Sequence, residues 1–139
     1  MNNSQKITLT NDLEELTRIN ALINSFSDIW NIGHDMIQRI NLAVEEIFLN
    51  IIEYGYQDEE IHLISFEFIN NIDILIIEVV NDAVEFDIIN YPMPKFTSSI
   101  EELEAGGLGI FLMKKMVDTI TSTRINGINT VQLVINLTD

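Results

Sequence analysis

The sequence predicts an α+β fold, a two-layer α/β sandwich in which helices pack on one face of a mostly antiparallel mixed sheet. Three observations carry this. Apolar residues keep a helical period through residues 35–54, and polar dipeptides at Asn70-Asn71 and Asn126-Gly127 separate pairs of strand-like runs. The order of elements is strand, two helices, two strands, loop, helix, two strands. At 139 residues the chain supports one hydrophobic core, so residues 1–139 are read as a single domain with an open crevice between helices and sheet.

Residues 6–10 alternate as a short opening strand, after which Thr10 or Asn11 is placed to N-cap a helix with Glu14 near its third position. Leu13, Leu16, Ile19, Ile23 and Phe26 form that helix's apolar stripe, which ends before residues 30–33. In the second helix, 35–54, the stripe runs from Ile37 through Val44 and Ile51 to Tyr54, with Gln38, Asn41 and Glu45 opposite. Residues 61–69 and 72–80 read as a hairpin turning at Asn70-Asn71, and the second run is apolar on both faces, which places it centrally. Residues 81–105 break the pattern, and 88–105, with Pro92, Pro94 and an acidic second half, reads as a lid. A helix follows over 106–121, and strands at 123–125 and 130–137 close the chain around Asn126-Gly127.

Composition excludes several function classes. Seven Lys and Arg against 22 Asp and Glu give a net charge of −15, a field that repels nucleic-acid backbones and anionic membranes. Without cysteine there is no disulfide framework, no thiolate nucleophile and no Cys-type zinc site. The N-terminal residues lack the apolar stretch of a signal peptide, and no apolar run reaches membrane-spanning length, so a soluble cytoplasmic protein is expected. His34 and His62 are read as structural, Lys114-Lys115 and Glu101, Glu102 and Glu104 as solvated, and no spacing supports Ser-His-Asp catalysis.

Three constellations remain. Glu46 and Asn50 are four apart on the long helix, so a carboxylate and an amide oxygen share one face. That pair suits a hard cation such as Mg2+, and the carboxylate suits a general base; an exposed polar patch is the other reading. Gly106, Gly107, Leu108 and Gly109 precede the apolar-periodic Ile110, Phe111, Met113 and Val117, so unpaired N–H groups at a helix start can meet an anion such as phosphate, or simply give a flexible lead-in. Asn81 to Asp87 end the central strand, where polar side chains can face a pocket while Phe86 anchors the loop, or simply form a solvated strand exit.

Taken in order, these features resemble the nucleotide-binding boxes of the ATPase fold shared by histidine kinases, type II topoisomerases and mismatch-repair ATPases. The resemblance is closest to the anti-sigma factor serine/threonine kinases. Residues 43–50, Ala-Val-Glu-Glu-Ile-Phe-Leu-Asn, look like the first box, with Tyr54-Gly55-Tyr56 at the position of its usual His-Ala-Tyr ending. Asn81 to Asp87 are similar to the second box, normally Asp-x-Gly followed by Phe-Asp, and Gly107-Leu108-Gly109-Ile110 with Val117-Asp118 resembles the glycine box. Asn81 stands where that family has Asp and Ala83 where it has Gly, and Tyr54 replaces its His.

The resemblance implies ATP in the crevice, Mg2+ at Asn50, adenine near Asn81 and Ala83, and phosphates along Gly106, Gly107, Leu108 and Gly109, with Thr130 also in the nucleotide site. Glu46 is implied as the base that activates a protein serine or threonine. The implied partners are a small anti-sigma factor antagonist, which is phosphorylated, and a sigma factor that competes with it, and a homodimer is the implied assembly. A non-catalytic partner-binding module of the same fold is the competing class, favoured by Asn81 and Ala83; a histidine-kinase fragment is third.

Overall fold

In the computed structural model, residues 3–90 and 108–138 are described. Their alternation and helical stripes resolve into β1 (Ser4–Thr10), α1 (Leu16–Asn24), the one-turn α2 (Phe26–Ile29), α3 (His34–Tyr54), β2 (Leu63–Asn71) and β3 (Ile74–Asn81). After the undescribed segment come α4 (Leu108–Met116), β4 (Thr119–Ile125) and β5 (Ile128–Asn136). The sheet order is β1-β2-β3-β5-β4, and every neighbouring pair is antiparallel. The expectation of a mixed sheet is therefore corrected among the described residues. The α4 crossover does join two strands of like direction, β3 and β4, but β5 lies between them and pairs antiparallel with both.

One face of the sheet supplies Phe66, Phe68, Leu75, Ile77, Leu133 and Ile135 to the core, all fully buried. Helix α3 answers with Ile40, Ala43, Val44, Ile47 and Phe48, a stripe as wide as a core-facing helix needs. Tyr54, expected on that stripe, is 48% exposed, and Leu13, expected on the first, is 55% exposed in a 3-10 turn (Leu13–Glu15). The N-cap is Asp12 instead of Thr10 or Asn11: its Oδ1 accepts from the Glu14 N–H at 2.9 Å, while Glu15 Oε2 accepts from the Thr10 N–H at 2.9 Å. The first helix also breaks, at Ser25, whose Oγ donates to the Leu22 carbonyl at 2.6 Å.

The first hairpin turns at Ile72-Asp73 and not at Asn70-Asn71. A turn two residues earlier would set Asp73 opposite Phe68. The observed register instead faces Phe66 with Val79 and Phe68 with Ile77, all buried. This holds Ile72 at φ 51 and leaves it 86% exposed, so core pairing overrides turn preference. The second hairpin turns at Asn126-Gly127 as expected, with φ 52 and φ 80, the signature of a type I′ turn. Helix α4 ends at Met116 and not near residue 121, because the β-branched run Thr119, Ile120, Thr121 enters β4. Of the expected lid, 91–105 lies outside the described residues, and Ile88 at its near end is buried against the core.

Candidate nucleotide site

Because α3 turns Val44, Ile47 and Ile51 to the core, Glu46 and Asn50 emerge together, one turn apart, at the edge of the helix layer. Neither side-chain head makes a hydrogen bond or ion pair among the described residues, although both are half-buried. Burial pushes the Glu46 carboxyl above its ordinary value, and the charges of Glu45 and Glu53 add to the rise. Gly109, in the first turn of α4, lies directly over that carboxylate: a Cβ there would overlap Glu46 Oε2. Two of the expected constellations, separate in sequence, thus meet at one point. Gly106 and Gly107 lie outside the described residues, and Leu108 opens α4.

Between α3, the 82–88 loop and the end of the sheet runs a cleft that opens to solvent. Asn50 and Ile47 line it from the helix, Phe86 and Ile88 from the loop, and Ser122 and Asn129 from the sheet. Asn81 closes its floor and is only 5% exposed. Asn81 Oδ1 accepts from the Ala83 N–H at 3.1 Å and from Asn129 Nδ2 at 3.0 Å. Asn129 Nδ2 also donates to the Ala83 carbonyl at 2.9 Å, and Arg124 Nη1 donates to that carbonyl at 3.0 Å and to Asn129 Oδ1 at 2.7 Å. Asn129 and Arg124 were not among the residues expected from sequence. The signal that finds them is the register, which sets Asn129 opposite Asn81 and Arg124 opposite Asn129. Thr130 is corrected for the same reason: it is one residue along β5 from Asn129 and Val131 and projects from the other face of the sheet.

Ala83, where glycine was anticipated, is accommodated by its neighbour. The Gly55 carbonyl accepts from the Val84 N–H at 2.9 Å, which draws the loop onto the end of α3. A Cβ on Gly55 would stand 2.6 Å from the Ala83 Cβ and would also overlap the Ile51 carbonyl. The methyl group is carried by one partner of the contact and must be missing from the other. Gly55→Ala should therefore destabilise the fold by about 1–3 kcal/mol through overpacking, read as a lower urea midpoint, with Ala83→Gly recovering only part of the loss. No change in midpoint would contradict this contact.

On the far side of the loop, His62 is not isolated. Its Nε2 lies 2.8 Å from Asp58 and its Nδ1 3.3 Å from Asp82, and its ring stacks on Tyr56 at 4.0 Å. Asp82 is thereby turned away from the cleft floor and cannot replace a carboxylate at position 81. The Asp58 hydrogen bond, with Asp82 behind it, raises the imidazole above its ordinary 6.5, while the same bond holds Asp58 below 3.8. The sign follows. The contribution from His62 is complete below about 6.5 and fades as pH rises through the raised value, and that of Asp58 is present above 3.8 and fades as pH falls through its lowered value. An NMR titration should give His62 a midpoint above 6.5 that falls back in Asp58→Asn; a midpoint at or below 6.5 in the unaltered protein would remove the clamp.

Residues 9–135 match the family model of the histidine kinase-like ATPase domain. The chain is similar to the serine-protein kinase RsbW of Bacillus velezensis, at 28% identity over 92 residues, 63% of this chain and 57% of that protein. It is also similar to serine-protein kinase RsbW of Bacillus subtilis, at 26% over 100 residues, 68% of this chain and 62% of that protein. The match thus spans about three-fifths of each relative's length. Among solved structures, the RsbU and RsbW domains of a Mycobacterium tuberculosis protein superpose with TM-score 0.63 at 15% identity, over 96% of this chain and 32% of that one. The histidine kinase domain of a blue-light activated kinase from Erythrobacter litoralis gives 0.54 at 18%, over 99% and 65%. These two likenesses establish the fold. No helix among the described residues is long and apolar enough to cross a membrane.

Proposed function

Because this chain belongs to the histidine kinase-like ATPase domain family, we propose that it is an anti-sigma regulatory factor that binds Mg-ATP and phosphorylates a serine or threonine of a small anti-sigma factor antagonist. The observation that carries this reading is the placement of Glu46, its carboxyl raised above its ordinary value and without a partner among the described residues, beneath Gly109 with Asn50 one turn further along the same face. The kinase names of the Bacillus relatives support the chemistry. The unphosphorylated antagonist and a sigma factor compete for the chain.

The donor set fits the metal: the Asn50 amide is half-buried, near an acid, and uncommitted among the described residues. Bound at Asn50, Mg2+ supplies neutralisation of phosphate charge. Glu46 takes the proton from the acceptor hydroxyl as that oxygen forms its bond to the γ-phosphorus, and the bond to the bridging oxygen breaks to release ADP. The first turn of α4 directs its N–H groups toward the transferred group. Asn50→Ala should weaken Mg-ATP binding about tenfold or more while leaving metal-free nucleotide binding in EDTA unchanged, by titration calorimetry. Equal losses with and without metal would remove Asn50 as the ligand; no binding of Mg-ATP by the unaltered protein at millimolar concentration would end the kinase reading. The second reading, a partner-binding module without catalysis, is favoured by one observation: the carbonyl oxygen of Asn81 is already spent on Ala83 and Asn129.

A further inference from the structure

The floor of the cleft offers a ligand the opposite hydrogen-bonding polarity from the one an adenine amino group requires. An amide oxygen has two lone pairs, and both on Asn81 are occupied, by the Ala83 N–H and by Asn129 Nδ2. The orientation of this amide does not rest on choosing between oxygen and nitrogen. The Ala83 N–H can only donate, so the atom of Asn81 facing it is the oxygen. Asn129 is set likewise, with its oxygen toward the guanidinium of Arg124 and its nitrogen toward the Ala83 carbonyl. The Ala83 carbonyl itself receives two donors, Asn129 Nδ2 and Arg124 Nη1. What Asn81 retains is its Nδ2, which has no acceptor among the described residues and belongs to a side chain only 5% exposed on the core face at the end of β3. That nitrogen is a donor with no acceptor among the described residues, so a ligand that brings an acceptor to it gains a hydrogen bond and one that brings a second donor does not.

We infer that the cleft selects a nucleotide whose purine carries an oxygen at position 6, as in guanine and hypoxanthine, over one carrying an amino group, with Asn81 as the residue that reads the difference. The inference rests on the nucleotide-site reading above and specifies its base. Adenine nucleotides still bind through phosphate and metal, but their amino group meets a donor. At position 81 an aspartate would spend one oxygen on Ala83 and Asn129 and keep a second as an acceptor, so Asn81→Asp should invert the preference.

Titration calorimetry with Mg2+ and ADP, IDP or GDP tests this, since IDP differs from ADP only at position 6 and the adjoining ring nitrogen. The unaltered protein should bind IDP and GDP about tenfold or more tightly than ADP, and Asn81→Asp should reverse the order. Equal or tighter binding of ADP by the unaltered protein overturns the inference and leaves the nucleotide site standing. An IDP preference that survives in Asn81→Asp overturns the assignment to Asn81. Failure of all three nucleotides to bind overturns both the inference and the site. If Asn81→Asp does not fold, the ranking in the unaltered protein decides alone.

Discussion

Glu46→Gln should slow phosphoryl transfer to a serine-bearing antagonist domain by about 10² to 10⁴ while leaving Mg-ATP affinity nearly unchanged. The substitution keeps the size of the side chain, so the contact with Gly109 persists, and it removes only the ability to accept a proton. The raised pKa of the carboxyl gives this a second readout. The base works only when deprotonated, so the transfer rate of the unaltered protein should climb with pH through a value above the ordinary 4.5 of a glutamate, and that limb should vanish in the variant. Stability should move the other way. A carboxyl whose folded-state pKa is raised costs stability as pH rises past its unfolded value of 4.5, so the neutral glutamine should raise the melting temperature at neutral pH. An unchanged transfer rate would remove Glu46 from the mechanism and move the weight to the non-catalytic module.

Phe66→Ala should cost about 3–5 kcal/mol, a large part of the ~5–15 kcal/mol that holds a domain of this size. Phe66 is fully buried in β2, with the Phe48 ring of α3 6.3 Å away and that of Phe68 6.4 Å away. Val79 stands opposite it on β3 and Ile7 on β1, so truncation leaves a cavity bounded by three elements that cannot all move inward. Because Phe48 sits between Ile47 and Asn50 on α3, the same ring contact helps set the angle at which the helix presents Glu46 and Asn50. Urea denaturation should show the midpoint falling at constant slope, with loss of nucleotide binding at concentrations where the unaltered protein remains folded. A cost below ~1 kcal/mol would show that the core closes around the gap and that the helix is not positioned through this ring.

Features set by local spacing were legible in the sequence. Helix α3 begins one residue before the expected 35–54, because its stripe from Ile37 to Ile51 leaves no other period, and Asn126-Gly127 forms the turn it signals since both residues tolerate positive φ. Glu46 and Asn50 had to share a helix face at a separation of four. Other features depend on partners distant along the chain, and only the tertiary structure decided them. The turn at Ile72-Asp73 was chosen by Phe66 and Phe68 finding Val79 and Ile77, against the preference of the dipeptide for a turn at Asn70-Asn71. Ala83 is tolerated because Gly55 lies against it, and Asn129 rather than Thr130 reaches the cleft because β5 takes one register against β3. Asn81 turns its oxygen inward because a backbone N–H two residues on and an asparagine on another strand both require an acceptor there. Hydrophobic period is a property of neighbours a few residues apart, whereas the direction of a buried hydrogen bond is set by whichever donors and acceptors the folded sheet brings together.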